Sequence, residues 1–317
     1  MFFSLAGRRQ ALAWVAAAAA AVIAPATPQQ AAATEVSPPT GGSVSASAAL
    51  SPQQGLLFGA FVDSGASPTQ PAAPDSQTVL KRFEQRLGRK LDLHRIFLRW
   101  DDPFTNAAAD VARGRAPILS IRPTRRDGTN LGWASIAAGS HDGDIAAQAR
   151  AIADLGAPVF LAFHHEPDFA TGFGTPAEYV AAWRHYVGVF RAEGVGNVAW
   201  TWTMAPSSFG SAPVGAGADA YYPGDDVVDW LALDAYNWYG CAPSKPTSWR
   251  PLGQVVGPFR TWSLPHGKPL MLAEWGSSED PADPQRKANW LREAMTTLAG
   301  WPEFKAVSYF HTFGNCP

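Results

Sequence analysis

The segment Pro158-Val159-Phe160-Leu161-Ala162-Phe163-His164-His165-Glu166-Pro167-Asp168 decides the fold. An unbroken apolar run from Pro158 to Phe163 stops abruptly at two histidines and an acid. A short continuous run of this kind reads as a parallel strand buried on both faces. Seven more such runs follow the same rule: Leu57–Val62, Arg95–Trp100, Ala116–Ile121, Val198–Thr203, Trp230–Ala235, Pro269–Ala273 and Ala306–Phe310. Amphipathic stretches lie between them. The clearest is Pro176–Glu193, with Tyr179, Ala182, Trp183, Tyr186, Val189 and Phe190 on one face. Thr175 is placed to cap its start and Gly194 to end it. Helices are also predicted over Asp144–Leu155 and Pro284–Leu298, and a long irregular loop over Pro206–Tyr222.

Eight strands alternating with helices predict an α/β fold of the (β/α)8 TIM-barrel type. The alternative, a doubly wound sheet, usually carries a Gly-rich phosphate turn after its first strand. Val62-Asp63-Ser64-Gly65-Ala66 is too thin for one. The last strand lies close to Pro317, so a barrel without its last helix is expected.

Residues 1–33 are expected to be a secretory signal peptide. Arg8 and Arg9 precede an Ala-rich apolar run from Ala11 to Ala24, and small-residue cleavage sites follow. The run is shorter than the ~20 residues that a membrane span needs. The arginine pair leaves the twin-arginine route open beside the general one. Residues 34–54, rich in Ser, Pro and Ala, read as a linker, and residues 55–317 as the barrel domain. The product is expected to be secreted and extracellular, with no membrane contact after cleavage. Cys241 and Cys316, an even pair in an exported chain, are expected to form a disulfide.

Composition narrows the function. The 317 residues carry a net charge of −2, which argues against a nucleic-acid partner. Only 16% of residues are charged, yet 13 are Trp. A flat, polar, uncharged partner suits such a chain, and polysaccharide fits. The order of residues does not report the oligomeric state.

In a barrel of this kind the chemistry sits at the C-terminal strand ends. Glu166 follows strand four and Glu274 follows strand seven, so both project into one basin. Two carboxylates flanking a bond are what glycoside hydrolysis requires. Trp100, Trp202, Trp238 and Trp275 stand at or just past strand ends and are expected to bind sugar, since indole packs on pyranose faces. His164, His165, Glu166 and Asp168 lack the H-E-x-x-H spacing of a helical zinc site, so no metal and no cofactor are expected.

Three motifs resemble glycoside hydrolase family 26, the β-mannanase type, within the clan of retaining barrel glycosidases. They are His165-Glu166; Tyr221-Tyr222-Pro223-Gly224-Asp225-Asp226 with Asp234-Ala235-Tyr236-Asn237; and Lys268-Pro269-Leu270-Met271-Leu272-Ala273-Glu274 with Gly276-Ser277. The resemblance implies Glu274 as nucleophile and Glu166 as acid/base, with Tyr236 bonded to Glu274 and His165 positioning substrate or nucleophile. It implies β-mannan as substrate first, then mixed-linkage β-glucan or xylan. The sequence departs from the family at Ala162, where members often carry Arg, and at Pro167-Asp168. A retaining pair requires carboxyls ~5–5.5 Å apart. A barrel that binds carbohydrate without cleaving it is the competing reading.

Overall fold

The computed structural model describes residues 45–63, 75–213, 215–241 and 247–312. Residues 1–33, most of the expected linker, and Cys316 lie outside them. Eight parallel strands close into a barrel in the order β1 to β8. They are β1 Leu57–Val62, β2 Leu93–Arg99, β3 Ala116–Arg122, β4 Val159–Phe163, β5 Val198–Met204, β6 Trp230–Asn237, β7 Leu270–Ser277 and β8 Phe304–His311. The sequence-based strands sit at these places, but β6 runs two residues further and β7 four. Tyr236 and Glu274 are therefore inside strands rather than beyond their ends.

Helices cover the outside: α2 Ser76–Leu87, α3 Thr105–Val111, α4 Trp133–Ala137, α5 Asp142–Ala153, α6 Pro176–Ala192, α7 Ala218–Tyr221, α8 Leu252–Ser263 and α9 Arg286–Ala299, after a short α1 at Ala46–Ala49. Thr175 caps α6 in a full capping box with Glu178, which satisfies backbone donors at the helix start. The loop expected to be irregular between β5 and β6 holds a 3₁₀ turn at Pro206–Ser208 and the single turn of α7. Among the described residues no helix follows β8, and none is long and apolar enough to cross a membrane.

Strand alternation splits the core in two. One cluster fills the space between strands and helices and holds Phe163, Trp183, Trp200, Trp202 and Trp275. A smaller cluster fills the lower barrel with Leu93, Ile118, Phe160, Trp230, Met271 and Ala306. Ala46 and Leu50 are buried in that inner cluster. The stretch expected to be linker thus includes a helical plug from Ser45 to Leu50. The burial of two apolar side chains in the barrel's open bottom holds it there.

Outside the barrel, helices α2 and α3 meet β2 through a buried polar network. Asp110 accepts from Arg115 Nε (3.0 Å) and Gln77 Nε2 (2.9 Å) and pairs with His94 Nδ1 (2.5 Å). Arg115 also reaches Glu84 at 3.1 Å. Hydrogen bonds from His94, Gln77 and Arg115 outweigh burial and hold the Asp110 carboxyl below the usual carboxylate range. Removing one member of such a network strands a buried charge, which costs about 3–5 kcal/mol. Asp110→Ala is expected to lower unfolding free energy by that amount in urea denaturation. The same variant assayed well below its Tm should keep the barrel-mouth chemistry, which lies elsewhere.

Candidate active site

Two local breaks in strand alternation build the site. Along β4, Phe160 belongs to the inner cluster and Leu161 and Phe163 to the outer one. Continued alternation would turn His165 outward. Instead His164 adopts φ +47 and Glu166 φ +50, left-handed values that are uncommon for residues other than glycine. The His164 N–H donates to the Ile121 carbonyl at 2.9 Å, and the Glu166 N–H to the Thr203 carbonyl at 3.0 Å. The chain leaves β4 pinned to both neighbouring strands. His164 then packs outward, its Nδ1 accepting from Trp133 Nε1 at 3.0 Å, while His165 comes to lie against Phe97 inside the barrel.

The second break is on β7. Leu233 pairs with Leu272, but Asp234 pairs with Glu274, which leaves Ala273 as an extra residue. Such a bulge shifts side chains by one step. Met271 and Ala273 belong to the inner cluster, and after the bulge Glu274 also faces in. Trp275 faces out, into the helix layer.

Glu274 is held at both oxygens. The Tyr236 hydroxyl donates to Oε2 at 2.6 Å, and Arg95 Nη2 approaches Oε1 at 3.4 Å. Arg95 is fully buried, with its guanidinium 4.7 Å from the Phe97 ring. Asp234 lies beside this pair, 2% exposed. Burial first, then the charges of Glu274 and Glu166, push its carboxyl well above the usual range. Burial and the same acids also raise the Tyr236 hydroxyl, keeping it a proton donor. Glu166 follows the C-terminal end of β4, with its N–H on the Thr203 carbonyl of β5 at 3.0 Å, at the same end of the barrel as Glu274. Burial and Arg95 keep His165 neutral, and burial with Arg122 brings His164 down to about 3.

The tryptophans depart from expectation. Trp275 is 1% exposed and stacks on Trp290 of α9. Trp202 is fully buried against Phe209, Tyr222 and Trp262. Trp100 is buried between Phe163 and Tyr186 and bonds Asp144 at 3.0 Å. All three belong to the layer between strands and helices, where no sugar reaches. On β5 the signal was present, because small Ala199, Thr201 and Thr203 alternate with bulky Trp200, Trp202 and Met204. Only small residues fit the narrow interior there. For Trp275 the bulge changes the phase, and no local pattern announces it. Trp238 stays half-buried beside Tyr236, ring centroids 4.8 Å apart. Arg95 and Asp234 enter the site only through the structure. Each is a charged residue at an inward position of an apolar strand, where burying it bare is costly, and that cost was the available signal. Cys241 lies in the turn after β6, while its expected partner Cys316 is outside the described residues.

A parallel barrel with carboxylates on strands four and seven is the architecture of the retaining barrel glycosidases. The comparisons with known proteins point the same way. In fold the chain is similar to GH26C from Muricauda sp. MAR_2010_75 (TM-score 0.59, 18% identity, covering 86% of this chain and 84% of that one). It is also similar to a family 26 β-mannanase from Bacteroides ovatus (TM-score 0.55, 16% identity, 82% and 81%). Among curated proteins it is 30% identical over 269 residues to Endoglucanase H of Acetivibrio thermocellus, covering 81% of this chain and 28% of that protein. A β-1,3-xylanase from Vibrio sp. is 25% identical over 178 residues, covering 54% of this chain and 35% of that protein. The chain thus spans about a third or less of the curated relatives it matches. No family model matches it. In fold the chain is similar to solved members of glycoside hydrolase family 26.

Two outcomes follow from this geometry. Trp275→Ala is expected to cost about 3–5 kcal/mol of stability, as for large core truncations, with KM unchanged in enzyme that remains folded; a rise in KM at unaltered stability would return Trp275 to the cleft. Asp234, whose folded carboxyl titrates above its unfolded value, stabilises at pH below the unfolded value and loses that contribution as pH rises through the folded one. Asp234→Asn should therefore gain Tm relative to wild type as pH rises from 4 to 8, measured by thermal unfolding.

Proposed function

We propose that this chain is a secreted retaining glycoside hydrolase that cleaves β-linked polysaccharide within the chain of the polymer. The observation that carries the reading is the fixing of Glu274 by Tyr236 and Arg95 at the end of the barrel where Glu166 leaves β4. The Tyr236 hydroxyl and Arg95 orient the Glu274 carboxylate, so it is prepared to attack an anomeric carbon. Glu166 gives its proton to the departing glycosidic oxygen as the C1–O bond breaks and the Glu274–C1 bond forms. In the second half Glu166 takes a proton from water, the water oxygen bonds to C1, and Glu274 leaves as carboxylate. His165, neutral and next to Glu166, can hydrogen-bond a sugar hydroxyl without adding charge.

Solved neighbours named as β-mannanases support β-mannan as the polymer, in line with the sequence motifs. Curated relatives named as an endoglucanase and β-1,3-xylanases support β-glucan and xylan beside it. The N-terminal run of residues 1–33 supports export, and export in turn supports a Cys241–Cys316 disulfide.

The test is reducing-sugar release by the purified mature chain on mannan, mixed-linkage glucan and xylan, beside Glu274→Ala. Wild type should release sugar from one of them, and the variant should lose several orders of magnitude in kcat, as nucleophile deletions do. Proton NMR of the first product should show the β anomer before mutarotation. Binding to a polymer without cleavage over long incubation would instead identify a carbohydrate-binding barrel with an idle carboxylate pair.

A further inference from the structure

We infer that His165, Asp234 and Glu274 form a binding site for one divalent transition-metal cation, with Zn²⁺ the ion the donor set suits. One ligand atom from each of the three lies within 4.8 Å of the other two. An imidazole nitrogen with two carboxylates is a set that borderline divalent metals accept, whereas calcium and magnesium prefer oxygen alone.

Two observations beyond the grouping point to a ligand. Neither carboxylate oxygen of Asp234 meets an N–H or hydroxyl donor among the described residues, although the side chain is 2% exposed, and its carboxylate neighbour is Glu274. His165 Nδ1 is likewise buried without a partner. Asp234 therefore keeps lone pairs beside His165 and Glu274. His165 itself is half-buried, which opens the cluster toward the cleft and gives an ion a way in. Arg95, at 3.4 Å from Glu274 Oε1, opposes the ion and keeps the affinity moderate. Zinc bonds of ~2.1 Å place tetrahedral donors roughly 3.4 Å apart, so binding draws the side chains inward by about 1 Å. An ion so placed would occupy the Glu274 carboxylate and exclude the sugar. This consequence rests on the glycosidase reading, whereas the binding itself does not.

The experiment titrates Zn²⁺ alone into EDTA-treated, dialysed protein by calorimetry, with Co²⁺ absorption as a second probe. Wild type should bind one ion at micromolar concentration and give visible Co²⁺ bands. His165→Ala and the near-isosteric Asp234→Asn, each checked for fold by circular dichroism, should weaken binding ten-fold or more. In the glycanase assay Zn²⁺ should raise KM without changing kcat, and EDTA should reverse it. Failure to saturate by 1 mM Zn²⁺ would overturn the site. So would unchanged affinity in both variants, because the ion would then sit elsewhere, for example at the exposed pairs His185–Asp142 or His266–Asp225. Site-dependent binding by a chain that cleaves no polymer would keep the metal site and remove the proposed function.

Discussion

A carboxylate cannot be carried into the middle of a barrel without a partner, and Arg95 is the partner on which this site depends. Its guanidinium is fully buried on β2, across the barrel from Glu274 on β7. The pairing links distant strands and sets a positive charge beneath an acid cluster. Phe97 covers one face of the guanidinium at 4.7 Å. Tyr236 completes the arrangement from β6. A carboxylate held on both oxygens loses rotational freedom before any substrate arrives, which is how pre-organisation lowers a barrier.

The same interior imposes a parity rule. Every second residue of a barrel strand points inward, and the lower barrel uses those positions for apolar packing, sealed from below by Ala46 and Leu50. To place His165 and Glu274 inward at the top, two strands must slip phase. β4 does it with left-handed backbone at His164 and Glu166, and β7 with an extra residue at Ala273. Residues held in such backbone regions cost of order 1–3 kcal/mol each. The hydrogen bonds from His164 to β3 and from Glu166 to β5 hold them there. Strain and bulge both occur at the candidate site, where local regularity is given up for geometry.

Stability is drawn from elsewhere. The wide aromatic layer between strands and helices absorbs most of the tryptophans that composition alone assigns to sugar. Trp183, Trp200 and Trp202 sit in that layer beside Tyr179, Tyr186 and Phe190. The motif Tyr221–Asp226 has a similar structural task. Asp226 accepts both Arg184 nitrogens, and the Asp225 carbonyl accepts from Lys268 Nζ at 2.8 Å. The motif thus ties α6 to the turns leading into β6 and β7. Residues that mark the family in sequence need not touch substrate.

Alternation of apolar runs with amphipathic stretches was enough to establish eight strands, their order and the catalytic face, because burial on both sides of a parallel strand leaves an unbroken apolar run. It also marks Glu166 and Glu274 as candidates, since an acid next to such a run is costly to bury bare. The inward turn of Glu274, the outward turn of Trp275, the recruitment of Arg95 and Asp234, and the plug formed by residues 45–50 were decided by tertiary structure. Each depends on register between strands or on packing against segments far away in the chain. A one-residue slip reverses which face a side chain occupies while leaving composition and hydropathy unchanged.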